Sequence, residues 1–385
     1  MKKTLEREGK KWERLALQIH QNPELSFEEQ KTAGVLIKYL ASQGFKIQKN
    51  LAGLATSFHA FARREKSRPA VCFLAELDAL PGIGHGCGHN LIAASSVAAA
   101  VILRKSFPEL QGCIEVIGCP AEERGGGKII LGNAGAFDHL DLAMLVHPSD
   151  RTEIYKLSLA LVEVKLDFIG RAAHAAAHPE KGINALDAAL QTFNKVNALR
   201  ARLSRFARVN GIIIEGGKAP NIIPDRAKAE FWVRHDRLDK AMKLAEMVAQ
   251  AGKASAQAMG AKLKVELNKK LAYAPFLPNR AAGKILWEIF EQLEIKIKQG
   301  DEKAEMGSTD LGNLSWKVPA LHPSMAITNA PGHTKEFADA ARSARGIAMM
   351  KQAALAMAML GYRVMTEEKL RREMQAELKR SRAAK

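Results

Sequence analysis

The chain has 385 residues, a formal net charge of +17, 47% hydrophobic and 26% charged residues, which is too long for one ordinary core and ordinary in composition for a soluble globular protein. That balance excludes a disordered chain, and no run approaches the roughly 18 to 20 apolar residues of a membrane span, Leu91–Leu103 being short and rich in small residues. The basic excess is concentrated in Lys2–Arg14 and Lys369–Lys385 without a nucleic-acid motif, so a solvated basic surface is expected and neither a nucleic-acid nor a membrane partner.

Met1–Arg14 is crowded with Lys, Arg and Glu and has no signal-peptide apolar region, so a cytoplasmic location is expected. The first half alternates helix and strand, the texture of an α/β layer with a parallel or mixed sheet. Its apolar strand runs are Ala70–Leu74, Cys113–Gly118 and Leu142–Val146. Each is followed by polar residues: Glu76 and Asp78, Glu122 and Glu123, and His147. Sites in open α/β sheets form beyond the carboxyl ends of strands. From about Ser158 the texture changes to strands at Ser158–Phe168, Gly211–Glu215 and Ala229–Val233, with helices over Ile183–Phe206 and Leu238–Met259. From Phe276 the first texture resumes, with helices over Arg280–Glu294 and Phe337–Leu360, a strand over Pro319–Thr328, and a last helix, Glu367–Arg382, capped by Thr366. The architecture expected is α/β: a discontinuous domain, residues 1–157 and 272–385, interrupted by an α+β domain, residues 158–271.

Cys72, Cys113 and Cys119 lie in apolar runs and read as inert core thiols, since four cysteines in a large chain without an export signal do not make a disulfide framework. Cys87 differs. In AELDALPGIGHGCGHN it stands with His85 and His89 among glycines that let the backbone bend around a small target. Thiolate and imidazole two residues apart suit a metal ion, although a lone Cys-x-His is weak evidence. A Cys nucleophile with a His base fits poorly, because such pairs are usually distant in sequence. In CPAEER, the adjacent Glu122 and Glu123 are costly to keep ionised side by side unless a cation neutralises one. With a metal nearby, one Glu binds it while the other takes a proton from water. Paired glutamates are also common on surfaces; the position after a strand and before Gly125–Gly127 favours the functional reading. His147 ends the strand LAMLVHP and His333 stands on a glycine turn in NAPGHTKEF. A lone His is more often structural. Cys87, His89, Glu123, His147 and His333 together exceed one tetrahedral zinc and match a pair of ions about 3.5 to 4 Å apart.

The segments GHGCGHNL, PAEE, VHP and GSTDLGN (Gly307–Asn313) resemble metallopeptidase family M-twenty, subfamily D, which holds aminoacylases, carboxypeptidase-G and indole-acetyl-amino-acid hydrolases. Within it they resemble the branch of aminobenzoyl-glutamate hydrolase and β-alanyl-dipeptidase-like proteins. The resemblance covers about Leu15–Tyr362, including HQNPELSFEE (His20–Glu29). It implies a di-metal exopeptidase-like catalytic domain with an inserted lid or dimerisation domain. By resemblance Cys87, His89, Glu123, His147 and His333 match the metal ligands and Glu122 the general base. Asp78 matches the acidic residue behind a metal-binding His, a role also expected on physical grounds. In the insert, His174 of GRAAHAAAHPEKGINALDA matches a residue that reaches the neighbouring subunit's site and polarises the scissile carbonyl, with His178 as the alternative. Asn221 and Arg234 match positions that hold the substrate carboxylate or the oxyanion. Asn90 stands where the plant-hormone hydrolases carry Asp, which favours the aminobenzoyl-glutamate or dipeptide branch.

The resemblance therefore implies a metal-dependent amidohydrolase cleaving N-acyl amino acids, aminobenzoyl-glutamate-like conjugates or dipeptides with a free carboxylate. Two divalent ions, zinc or manganese, and a homodimer are expected. The competing reading is a metal-binding scaffold without turnover, which would have lost one member of the set Glu122 plus five ligands; none is missing from the sequence.

Overall fold

A computed structural model describes residues 1–63, 66–301 and 306–383. The chain divides into two units, Met1–Leu157 with Phe276–Lys385, and Ser158–Pro275. The second boundary falls four residues beyond the expected one because Leu161 and Tyr273 exchange both backbone hydrogen bonds, at 3.1 and 2.9 Å, tying Ala272–Pro275 to the inserted segment.

The first unit begins with α1 (Lys2–His20), whose Trp12, Leu15, Ala16 and Ile19 recur at helical spacing and are buried. There follow α2 (Gln30–Ser42), β1 (Lys46–Lys49), β2 (Phe58–Ala62), β3 (Ala70–Glu76), α3 (His89–Ser106), β4 (Cys113–Cys119), α4 (Gly127–Asn133), β5 (Leu142–Met144) and β6 (His147–Ser149). Every residue of β3 and β4 is buried, as their largely apolar runs, interrupted by Glu115 and ended by Glu76, require of strands covered on both faces. The segment Leu91–Leu103 lies within α3 and is wholly buried; its side chains, apolar but for Ser95 and Ser96 and mostly small, suit a helix enclosed by β3, β4, α1 and the later α10.

The insert supplies β7 (Ala160–Ile169), α5 (Ala185–Arg200), β8 (Arg208–Glu215), β9 (Arg226–His235), α6 (Leu238–Ala258) and β10 (Lys262–Leu267). Its sheet is antiparallel throughout, in the order β10-β7-β9-β8. Helices α5 and α6 pack on it over Val162, Val164, Phe168, Phe231 and Val233. Asn184 caps α5 by accepting from the amides of Leu186 and Asp187, so this helix starts and ends inside the expected span.

The first unit closes with α7 (Arg280–Gln292), α8 (Leu311–Ser315), β11 (Ala320–Leu321), β12 (Ser324–Ala326), α9 (Lys335–Ala340), α10 (Ala344–Thr366) and α11 (Glu368–Ala383). Its six-stranded sheet runs β1-β2-β4-β3-β5-β11, with β4, β3, β5 and β11 parallel and β1 and β2 antiparallel at one edge. The strand expected at 142–146 ends early, as β5 at Met144, the one expected at 319–328 splits into β11 and β12, and β6, beyond the first run, pairs with β12 as a separate parallel ladder. Pro148 and Pro323 there supply no ladder donor. The expected helix over 337–360 is also divided, because the Ser343 side chain accepts from Gly346 N and starts α10 afresh. Thr366 caps nothing: it is the last residue of α10 and donates to Tyr362 O at 2.8 Å.

Candidate active site

The carboxyl ends of β3, β4 and β5 converge on one cluster of polar side chains. Asp78, two residues beyond β3, fixes it. Its Oδ2 accepts from Ser26 Oγ at 2.7 Å and Glu123 N at 3.0 Å, and its Oδ1 accepts from Glu122 N at 3.2 Å. The same Oδ1 lies 3.2 Å from His89 Nδ1, which also contacts Asp78 O at 2.8 Å. Burial by itself would raise the Asp78 pKa, but His89, Ser26 and the Glu123 amide bring it down to about 2. One carboxylate thus orients His89 and both glutamates. His89 opens α3 rather than lying on the preceding loop, with left-handed Gly88 as its N-cap. A Cβ at Gly88 would come within 2.4 Å of Pro148 Cγ, so glycine is required.

With Nδ1 so engaged, His89 Nε2 points into the cluster without a hydrogen-bond partner. It lies 3.5 Å from Glu76 Oε2, 3.8 Å from Glu123 Oε1 and 3.9 Å from Glu122 Oε2. His147 spends Nδ1 on Pro148 O at 2.6 Å and presents Nε2 to Cys87 Sγ at 3.4 Å. His333 Nε2 lies 3.6 Å from Glu123 Oε2. Among the described residues, four three-residue groups have ligand atoms within 4.8 Å of one another: Cys87 with His89 and His147, Cys87 with Glu123 and His333, His89 with Glu122 and Glu123, and Glu76 with Glu122 and Asp310. Cys87 belongs to the first two and Glu122 to the last two.

These residues fit a metal centre. Soft sulfur, two imidazole nitrogens held in a fixed orientation by their other ring atom, and carboxylate oxygens form a donor set for divalent transition ions. Buried His89 Nε2 and Glu123 Oε1 have no hydrogen-bond partner among the described residues, and such an ion would satisfy both. Burial, followed by Glu76 and Glu123, pushes the Glu122 carboxyl well above its ordinary range. A cation beside it would oppose that rise. Burial and the neighbouring His322 hold His147 down to about 3, which favours the neutral ring, the form in which an imidazole can bind a metal.

Two left-handed residues bracket the site. Ala121, just before Glu122, has φ 57°, and His333 has φ 65°. Both are sparsely populated for non-glycine residues and are held by their surroundings: Glu29 accepts from Ala121 N at 2.8 Å, and His333 N donates to Gly86 O at 2.9 Å. Asn90 is a tie between elements, its Nδ2 donating to Ala341 O at 3.0 Å and Ala16 O at 3.3 Å. An aspartate there would set a carboxylate against two carbonyls.

His174, Asn221 and Arg234 lie in the other unit. His174 and Asn221 are exposed on adjoining loops joined by Ala175 N to Asn221 O at 3.0 Å, and the His174 ring accepts from Ala177 N at 3.1 Å. His178 is exposed beside Glu180. Arg234 stands near the end of β9, its guanidinium 5.1 Å above the Trp232 ring, and burial lowers its pKa.

Several members of the site escape a reading of the sequence. Ser26 and Glu29 come from the HQNPELSFEE segment and act through Asp78 and Ala121. His322 places its ring 5.3 Å from that of His147. Lys128, wholly buried, joins Glu76 to Asp310. The signals were present in the GGGK sequence after CPAEER and in GSTD, but nothing in their spacing links residues 76, 128 and 310.

A family model described as the M20 peptidase dimerisation domain matches residues 160–258. The Xaa-Arg dipeptidase of Mus musculus is 34% identical, covering 95% of this chain and 88% of its own length. A p-aminobenzoyl-glutamate hydrolase chain of Escherichia coli (strain K12) is 26% identical over 97% of this chain and 93% of its own. Among solved structures, a Bacillus subtilis protein titled a dinuclear metal-binding peptidase of the M20 family matches with TM-score 0.64 and 20% identity, covering 92% of this chain and 99% of that one. The chain belongs to the M20 family of metallopeptidases and amidohydrolases, and it is a hydrolase. Among the described residues, no helix is long and apolar enough to cross a membrane.

Proposed function

We propose that the protein is a two-ion amidohydrolase that cleaves dipeptides or N-acyl amino acids bearing a free carboxylate, with Glu122 as the base. The observation that carries this reading is that two three-residue ligand groups share Cys87, with Glu122 beside them and outside both. Zinc or manganese suits the mixed sulfur, nitrogen and oxygen donors. When bound, the ions supply the Lewis acidity that makes water nucleophilic near neutral pH and polarises the scissile carbonyl. Glu122 takes the proton from the attacking water and delivers it to the departing amine. Asp78 holds His89 and the amides of Glu122 and Glu123 in place. His174 stabilises the oxyanion from a neighbouring subunit, while Asn221 and Arg234 take the substrate carboxylate, Arg234 through its planar fork.

The Xaa-Arg dipeptidase relative supports a dipeptide, and the aminobenzoyl-glutamate hydrolase an acyl-glutamate, as the substrate classes to examine first. A homodimer fits the matched dimerisation domain and edge strand β8, where Ile212, Ile213 and Ile214 are 64, 37 and 54% exposed. Three consecutive uncovered isoleucines on a sheet edge are a template for pairing. Four free thiols suit a reducing compartment, in keeping with the cytoplasm.

The test is release of free amine from dipeptides with basic, acidic and apolar second residues, from aminobenzoyl-glutamate and from N-acetyl amino acids, by metal-loaded protein. Turnover that chelator abolishes and Zn²⁺ or Mn²⁺ restores supports the proposal. Turnover indifferent to chelator, or confined to substrates whose carboxylate is amidated, contradicts it.

A further inference from the structure

Behind Glu122 lies a cation with no path to solvent. Lys128, in the first turn of α4, has a fully buried side chain whose Nζ is 2.7 Å from Glu76 Oε1 and 2.6 Å from Asp310 Oδ1. The other oxygen of Asp310 accepts from Lys128 N at 2.8 Å, fixing the start of α4 to the residue before α8. The carboxylates of Glu76, Glu122 and Asp310 lie within 4.8 Å of one another. Glu76 is wholly buried, neither of its oxygens has an aligned hydrogen bond, and Oε2 faces His89 Nε2 at 3.5 Å.

Three converging carboxylates at this spacing form an oxygen cage of the kind that Mg²⁺, Mn²⁺ or Ca²⁺ occupies. An ammonium is a compact point charge that satisfies such a cage without offering an open coordination position. Stability alone does not call for a lysine here, since a buried ion pair replaced by apolar residues often costs nothing. Its placement has a functional consequence instead, because Glu122 belongs both to this cage and to the group formed with His89 and Glu123. Any divalent ion entering the cage would take the Glu122 carboxylate as a ligand and withdraw it from proton transfer.

We propose that Lys128 is a positioning residue, a built-in cation that fills the Glu76–Glu122–Asp310 cage, keeps a third divalent ion out and leaves Glu122 uncoordinated. This rests on the two-ion reading above. The experiment compares wild type, Lys128→Met and Lys128→Met/Asp310→Asn, each equilibrated with rising Mn²⁺ and analysed for bound metal, folding by circular dichroism, and turnover. The double variant removes one positive and one negative charge and so restores the net charge of the cage. Lys128→Met is expected to bind about one more Mn²⁺ per chain than wild type, and to lose turnover over the same Mn²⁺ range. The double variant is expected to return to the wild-type count. A folded Lys128→Met chain with the wild-type count overturns the proposal, and so does one that stays unfolded at millimolar Mn²⁺, since the cage would then not accept the ion. A wild-type count below two indicts the two-ion reading and not Lys128, whose role is read from the difference between variant and wild type.

Discussion

Asp78 accepts from Ser26, Glu122 and Glu123 and lies against His89, so its charge and its two oxygens set the geometry of these polar residues in the candidate site. Asp78→Asn is expected to weaken metal binding by about 10- to 100-fold in chelator competition, the usual effect of losing the partner behind a metal-binding histidine. Unchanged affinity would mean that the contacts of Asp78 are structural only. A second residue-scale test lies away from the candidate site. Glu115, in the middle of β4, is buried between His59 Nε2 and His139 Nε2, each at 2.8 Å. Burial would raise its pKa, but the two histidines hold it down to about 2. A depressed folded pKa contributes stability that is present above the unfolded value near 4.5 and is lost as pH falls toward 2. Glu115→Gln should therefore lower unfolding stability by roughly 3 kcal/mol at pH 7, with the deficit shrinking below about pH 4 in urea titrations. A deficit independent of pH would contradict the assignment. At this scale the sequence made the soft and titratable residues visible, because Cys87, His89, Glu122, Glu123, His147 and His333 stand after strands or on glycine turns. Lys128, Glu76 and Asp310 were not legible as a group, since a buried ion network depends on side chains far apart in the chain.

Among the elements, the short helix α4 is held close behind the CPAEER loop. A Cβ at Gly127 would lie 1.9 Å from Pro120 O, a backbone atom that cannot yield without moving the CPAEER segment. Gly127→Ala is expected to cost about 2 kcal/mol or more in stability and to lower kcat through displaced Glu122; unaltered thermal unfolding would show that the loop adapts. The largely apolar runs of β3 and β4 and the helical periods of α6 and α7 were legible because burial on both faces or on one stripe leaves a direct mark on composition. The breaks between β5 and β6, between β11 and β12, and between α9 and α10 left a weaker mark. There one serine cap and isolated prolines outweigh an otherwise continuous apolar pattern.

For the molecule as a whole, the proposed role for His174 in a neighbouring subunit's site requires a second copy, and the exposed isoleucines of β8 are the proposed place for it. Ile212→Asp/Ile214→Asp is expected to give a 42.0 kDa monomer in equilibrium sedimentation at micromolar concentration, with folding intact and turnover reduced by orders of magnitude. A dimer that survives both charges would place the interface elsewhere. The two-part organisation of the chain was legible in its change of texture near Ser158. Its closing boundary was displaced because the bridge between Leu161 and Tyr273 joins residues more than a hundred positions apart.

The most direct test of the account is to measure bound metal and amide hydrolysis side by side in wild type and Glu122→Gln. The glutamine keeps the shape of the side chain, lies outside both Cys87 groups and cannot accept the proton. The result expected is two ions per chain in both proteins, with turnover in the variant lowered by at least about 10²-fold. Equal turnover in the two proteins would contradict the account, and so would the loss of an ion in the variant, which would make Glu122 a ligand and leave the reaction without its base.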